Sequence, residues 1–445
     1  MVLFFQSFQQ KQSKTERITM KLAFDPFQFN LATQNSIPIH WKNIPWINGF
    51  VYLRLALTVG GRHDPVGQEG LAHFLEHLPF NGCAGYPTQT AVEEADRSIF
   101  QDTLGANTGF DRTMYHAKVA TEKLVRGMDF LHHFLVSPLL DPKETERERG
   151  VITQEIWRAF ESPQKEKLGR NLQKLKYGNH PFSRQKRVLG WHDSVEKITC
   201  SDLQRFHDTY YRSGNMRIIL VGDVTQATLA DLDKFTGSLP KGKSVEPPPN
   251  ISSWPKPTVP ELLVSVGDYY GVKGESLPKK TVLNIFAGMP RLENPRIPSV
   301  ARSILRQLLF NRIRSTLGAT YSPHVGVSTF SDHSSFHIDL EIAPDTLQAV
   351  REIISTSIAE LASGDLQHQI LFQELKITTR ENNLYYDSSA DDIADDAMEE
   401  LIDTGSIKSL REDLENIDDV CYTDVAQFFS THLQPDQLFW SIMTP

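Results

Sequence analysis

Residues 197–221, KITCSDLQRFHDTYYRSGNMRIILV, align without gaps on residues 419–443, DVCYTDVAQFFSTHLQPDQLFWSIM. Asp202 falls opposite Asp424, Phe206 opposite Phe428 and Thr209 opposite Thr431, a constant offset of 222 (424 minus 202). Each copy reads as a helix that starts near a Ser/Thr-Asp cap, then a turn, then an apolar strand. The chain has 445 residues, whereas single cores stop growing near ~250 to 300 residues. A repeated helix and strand in a chain of that length implies a duplicated α+β unit.

The boundary between the copies is written in proline. Positions 240, 247, 248, 249, 255, 257 and 260 are all Pro, a density that forbids helix or central strand and marks a semi-rigid linker. The expected organisation is a tail over 1–20, a first domain over 21–240, a linker over 241–260 and a homologous second domain over 261–445. Within the first domain, VYLRLALTV from Val51 alternates: Val51, Leu53, Leu55, Leu57 and Val59 share one face. That pattern predicts a half-buried strand. Further strands are expected at Thr113–Val119, Met216–Val221, Thr281–Phe286, His324–Phe330 and Ser335–Ile342. Thr121 is read as the cap of a helix whose apolar face is Leu124, Met128, Leu131 and Leu135. Helices and strands without regular βαβ alternation favour α+β, each domain a mainly antiparallel sheet covered by helices.

Charge and cysteine content narrow the function. With 46 basic and 55 acidic residues, a formal charge of -9, there is no basic footprint for nucleic acid and no polybasic patch for a membrane. Peptide or small-molecule partners fit better. Cys83, Cys200 and Cys421 are too few and too scattered for a disulfide framework, so a reducing, cytoplasmic location is expected. The opening MVLFFQSFQQKQSKTER lacks a signal-peptide core; read as a transit peptide it would redirect the chain to mitochondria, and read as a disordered tail it precedes a second start at Met20.

The chemistry lies in GLAHFLEHLPFNG, from Gly70. Residues four apart share a helix face, so His73 and His77 can reach one metal ion, with Glu76 at the edge of that face. About 0.03 chance HxxEH matches are expected in a chain of this composition, so the motif carries weight alone. Catalytic zinc takes three protein ligands and leaves a position for water. The third ligand is sought in SPLLDPKETERERGVITQEIWRAF, where Asp141, Pro142 and Glu144 read as N-cap, first helical residue and capping-box partner of a helix running through Trp157. Glu148 and Glu155, two turns apart, share a face; one can ligate while the other orients a histidine from behind. Glu76 would serve as general base for hydrolysis of a peptide bond. His132 and His133 are read as boundary histidines, and Cys83 as a small buried residue in a turn. Pro79 should end the motif helix.

These residues resemble the inverted-zinc-motif metallopeptidases, the family of pitrilysin, insulin-degrading enzyme and the mitochondrial processing peptidase. The resemblance runs from about Ile37 to the C-terminus and rests on HFLEH, on ERERGVITQE and on the gap of 78 between His77 and Glu155 (155 minus 77). It implies one zinc per chain held by His73, His77 and Glu155, with Glu148 behind a ligand. RIRSTLGATYSP resembles the family's second-domain motif, which implies that Arg314 and Tyr321 hold the substrate carbonyl and its oxyanion. GANTGFDRTMY departs from the family stretch that lines a substrate-binding edge strand: Asn107 stands only four residues before Asp111, two fewer than usual. Short members of the family enclose a chamber between two chains, so a homodimer acting on unfolded peptides is expected, with a heterodimer containing an inactive homologue as the other pairing. A non-catalytic scaffold subunit and a targeting-peptide processing subunit are the competing readings. The first would have lost ligands or base, and His73, Glu76, His77 and Glu155 are all present.

Overall fold

The computed structural model describes residues 24–184, 188–265, 280–317, 322–384 and 389–445. The tail over 1–20 lies outside the described residues. In the first half the order is β1 (Asn30–Gln34), β2 (Ile37–Asn43), β3 (Phe50–Leu57), α1 (Leu71–Asn81), α2 (Gln89–Ile99), β4 (Gly105–Thr108), β5 (Thr113–Ala120), α3 (Leu124–Val136), α4 (Pro142–Phe160), α5 (Pro163–Tyr177), one-turn α6 (His192–Val195), α7 (Cys200–Tyr210), β6 (Met216–Gly222) and α8 (Gln226–Ser238). The second half continues with β7 (Glu261–Ser265), β8 (Thr281–Met289), α9 (Arg296–Leu317), β9 (His324–Thr329), β10 (Ser334–Ile342), α10 (Leu347–Ser363), α11 (Gln369–Leu384), α12 (Ala390–Thr404), α13 (Leu410–Asp418), α14 (Tyr422–His432) and β11 (Phe439–Thr444).

The two sheets repeat one topology. The first runs β1-β2-β6-β3-β5-β4 and the second β7-β11-β8-β10-β9. Setting β1 aside, each begins with a parallel pair, β2 with β6 and β7 with β11, and continues antiparallel to an edge strand, β4 or β9. The repeat seen in sequence is α7 and β6 in one half, α14 and β11 in the other. Both helices start and stop at the same offset of 222, from 200 to 422 and from 210 to 432. Their caps also match: the Asp202 carboxylate accepts from the Thr199 N–H at 2.9 Å and that of Asp424 from the Cys421 N–H at 2.7 Å.

One face of each sheet is buried under its own helices, forming two separate cores. The other face is covered by a helix from the opposite half. α12 lies on β6 and β3, while α5 lies on β8 and β11. Ala394, Ala397 and Met398 of α12 meet Ile44, Ala56, Met114, Ile219 and Val221 in a third apolar cluster. This exchange corrects the expectation for β3. Arg54 and Ala56, on the supposed solvent face, are 1% and 0% exposed, because α12 covers them. The Arg54 guanidinium is matched there by Asp395 (2.6 Å) and Asp391 (2.7 Å), both on α12.

Other local readings shift by small amounts. Thr121 does not cap α3: residues Thr121–Lys123 form a 3-10 turn before the helix, and the Thr121 hydroxyl has no protein partner. The apolar face of α3 is buried as expected, and Cys83 is fully buried. Pro79 does not end α1, which continues to Asn81 before Gly82; so close to the C-terminal end, the missing N–H costs only one intrahelical bond. Asp141 caps α4 as read, accepting from Lys143 and Glu144 N–H, whereas Glu144 turns to Arg147 rather than closing a capping box. Residues 241–260 form no helix or strand, and Trp254 among them packs against Tyr177 and His333 between the halves.

Candidate metal centre

α1 begins at Gly70, whose φ of 101° is open to glycine, and a Cβ there would meet the Leu189 carbonyl at 2.7 Å. The helix start is held from a distance. Asp64, fully buried, accepts from Gly70 N–H (2.7 Å) and Ala72 N–H (2.8 Å). Burial pushes its carboxyl up to about 7 against the pull of those two donors. Asp64 fixes where the next turn points, and that turn carries His73.

The imidazoles of His73 and His77 face each other through their Nε2 atoms, 3.2 Å apart. Glu155 Oε2, from α4, lies 3.6 Å from His73 Nε2 and 3.9 Å from His77 Nε2. Ligand bonds of ~2.1 Å in a tetrahedral arrangement would place such atoms roughly 3.4 Å apart. The three donors therefore fit a zinc-sized ion with little movement. Two nitrogens at hydrogen-bond distance whose other neighbours are carboxylates are also what a cation would relieve. Burial, and then the neighbouring His77, lower His73 to about 3, so it stands ready as a neutral donor.

The two glutamates of α4 divide. Glu148 accepts from His77 Nδ1 (2.8 Å) on one oxygen and from Asn81 Nδ2 (2.7 Å) on the other. Burial opposes the protonated form of His77, but the Glu148 hydrogen bond and the charges of Glu76 and Glu155 outweigh it and raise His77 above its ordinary value. Glu148 thereby fixes which His77 nitrogen faces Glu155. Glu76 is buried beside the cluster, and burial raises its carboxyl. Thr108, on edge strand β4, donates its hydroxyl to Glu76 Oε2. A cavity of about 630 Å³ opens here, lined among others by Glu76, His77, Phe80, Ala106 and Val151.

The remaining candidates lie elsewhere. Asn107 is on β4, opposite Met114, on the face away from the one Thr108 presents to Glu76. Arg314 is exposed in the last turn of α9, its guanidinium 5.9 Å from the centre of the Phe310 ring. Tyr321 lies outside the described residues. His132 and His133 are half-buried at the end of α3, with His132 bonded to Ser238. The sequence reading missed Asp64 and Thr108. Asp64 is too far before the helix to look like a cap; Thr108 stood in the quoted GANTGFDRTMY, but its partner is 32 residues away.

Two α+β domains of one topology, with an inverted HxxEH pair and a distant glutamate brought together beside a cavity that Glu76 and His77 line, define an inverted-zincin type of chain. Comparison with known proteins makes this specific. Residues 47–187 match the description Insulinase (Peptidase family M16) and residues 197–376 match Peptidase M16 inactive domain; the chain belongs to peptidase family M16, the pitrilysin type. A zinc protease of Rickettsia felis is 24% identical over 341 residues, 75% of this chain and 78% of that protein. The mitochondrial-processing peptidase subunit beta of Caenorhabditis elegans is 28% identical over 247 residues, 53% of this chain and 50% of that protein. The crystal structure of a protease from Helicobacter pylori shares the fold, with a TM-score of 0.76 at 20% identity, covering 94% of this chain and 99% of that one. Among the described residues, no helix is long and apolar enough to cross a membrane.

Proposed function

We propose that this chain is a zinc-dependent endopeptidase that hydrolyses unfolded peptides. One observation carries the reading: His73 Nε2, His77 Nε2 and Glu155 Oε2 lie 3.2 to 3.9 Å from one another beside the Glu76 carboxylate. The description of an inactive domain falls on residues 197–376, outside every member of this cluster. One zinc per chain, held by His73, His77 and Glu155, would supply a Lewis acid that polarises the scissile carbonyl and acidifies water. The protein's own part is proton transfer. Glu76, with burial raising its affinity for a proton and Thr108 steadying Oε2, takes a proton from the attacking water and delivers it to the leaving amine. Glu148 keeps His77 oriented throughout.

Substrate binding follows from β4. It is the edge of the first sheet and carries Thr108, so a peptide adding antiparallel to it would run past Glu76 with main-chain hydrogen bonds on one side. Such binding needs an extended chain, hence an unfolded substrate. Arg314, with Tyr321, is proposed to steady the oxyanion from the second domain of a homodimer enclosing the chamber. Three free thiols, at Cys83, Cys200 and Cys421, support a reducing compartment such as the cytoplasm. Substitution Glu76→Gln tests the mechanism: cleavage of a quenched peptide should fall by about 10²- to 10⁴-fold while metal analysis still finds zinc. Unchanged turnover in that variant would exclude Glu76 as the base. Mapping the products from a mixed peptide pool distinguishes general degradation from cleavage of one targeting-type sequence.

A further inference from the structure

Two more clusters of histidine and carboxylate share no residue with the catalytic candidates: His180, Asp332 and His333 between the domains, and His324, His337 and Asp339 on the second sheet. In the first the carboxylate is already saturated. Arg62 grips both oxygens of Asp332 at 2.6 and 2.9 Å, and His180 and His333 bond the same carboxylate at 3.0 and 2.7 Å. A guanidinium in that position excludes a second cation.

Among the described residues, no guanidinium bonds the carboxylate of the other cluster. His337 and Asp339 are two apart on β10 and share a face, and His324 on β9 stands directly opposite Asp339 in the antiparallel register. Two side chains of one strand and one from its neighbour make a three-point grip. Their donor atoms lie within 4.8 Å of one another, with His337 Nε2 4.0 Å from Asp339 Oδ2; the exposed His324 ring closes the remaining gap by rotation. Asn284 donates to Asp339 Oδ1 at 2.7 Å, which turns Oδ2 toward the histidines and orients the carboxylate as metal sites require. Gly326, opposite His337, clears the space: a Cβ there would fall 2.1 Å from His337 Nε2. Lys176 and Arg302 bring positive charge close to His337. Those same cations make the site weaker than the one at His73.

The duplication shows that the fold does not demand this set. Gly105 faces His116 in the first sheet as Gly326 faces His337 in the second, at an offset of 221 (337 minus 116). The same offset places Thr103 and Lys118 where the second domain has His324 and Asp339. Among the described residues, the second sheet carries such a triad and the first does not.

We infer that His324, His337 and Asp339 form a second divalent-metal site, of zinc-like chemistry, that ties edge strand β9 to β10. Imidazole and carboxylate suit Zn²⁺ and its neighbours rather than Ca²⁺ or Mg²⁺. The test is zinc titration of the full chain carrying His77→Ala, followed with a chromophoric competitor: about one equivalent should bind, with a rise in melting temperature. Adding His324→Ala, an exposed substitution, should abolish it, and Asp339→Asn should weaken it by more than about tenfold. In the wild-type chain the site should appear as a second equivalent that a chelator strips first. Absence of that second equivalent, or a second equivalent unaffected by both substitutions, would overturn the inference. Neither result bears on the site at His73, which is read separately as the first equivalent.

Discussion

The helices that follow β3 and β8 occupy the same place in the repeated topology, yet they differ completely in content. α1 carries HFLEH; α9, RIPSVARSILRQLLFNRIRSTL, has no histidine and no carboxylate. α4 brings Glu148 and Glu155 to the first site; α11, in the corresponding place after β10 and α10, also has two glutamates seven apart, Glu374 and Glu381, but α9 supplies no histidine to join them. The frame is present in both copies, and the HxxEH helix in one. What α9 carries instead is arginine, at 296, 302, 306, 312 and 314, of which Arg296 pairs with Asp413 and Arg312 with Glu360. Under the proposed function, a half that keeps the sheet order but carries arginine in place of the histidines would hold substrate rather than the catalytic cation.

The largest effect should come from testing that division of labour. Arg314→Ala should leave the zinc content unchanged and reduce peptide turnover by about 10²- to 10³-fold, the usual cost of one donor to an oxyanion. Chains carrying Arg314→Ala mixed with chains carrying Glu76→Gln should recover part of the activity if each site draws on both subunits of a homodimer. No recovery, with dimers present, would confine the site to one chain.

A second difference lies in what each half lends the other. α12 seals the first sheet with Ala394, Ala397 and Met398, while α5 reaches the second sheet through Tyr177, whose ring centre is 5.0 Å from that of Phe286. Met398→Ala, at a fully buried position, should cost roughly 2 to 3 kcal/mol. Since α12 belongs to one half and its contacts to the other, calorimetry should show a single lowered transition. Two transitions, one of them unmoved, would show that the halves fold independently.

This exchange is also where the sequence stops being readable. The duplication, the strands and the HxxEH helix announce themselves through local periodicity and spacing, which short-range sterics dictate. Arg54 does not: its alternation says solvent, and only α12, more than 330 residues later, turns that face into an interior with Asp391 and Asp395 as partners. Asp64 and Thr108 escape for the same reason, since each acts on α1 from outside the helix. At Glu148 and Glu155 the spacing gave a shared face but left their roles open. The structure separates them by partner, Asn81 and His77 Nδ1 for one and the two Nε2 atoms for the other. Glu148→Gln should therefore weaken zinc binding by about 10- to 100-fold, as loss of a group behind a ligand does, with the fold intact by circular dichroism. Loss of all zinc from that variant would mean that Glu148, not Glu155, completes the ligand set.

The smallest effect probes the repeat itself. Thr199 and Cys421 hold the same position before α7 and α14, and both receive an aspartate from the first turn. In the first copy the exchange is mutual, because Thr199 Oγ1 accepts from the Asp202 N–H at 3.2 Å. In the second the acceptor is a thiol, whose sulfur accepts weakly. Cys421 is exposed, so a hydroxyl can be placed there without disturbing the core. Cys421→Thr should restore the reciprocal cap and raise stability by about 0.5 to 1 kcal/mol, read as a higher denaturant midpoint at constant slope. A neutral or destabilising outcome would mean that the second copy has diverged in backbone as well as in side chain, and that the matching helix limits overstate how closely the two caps correspond.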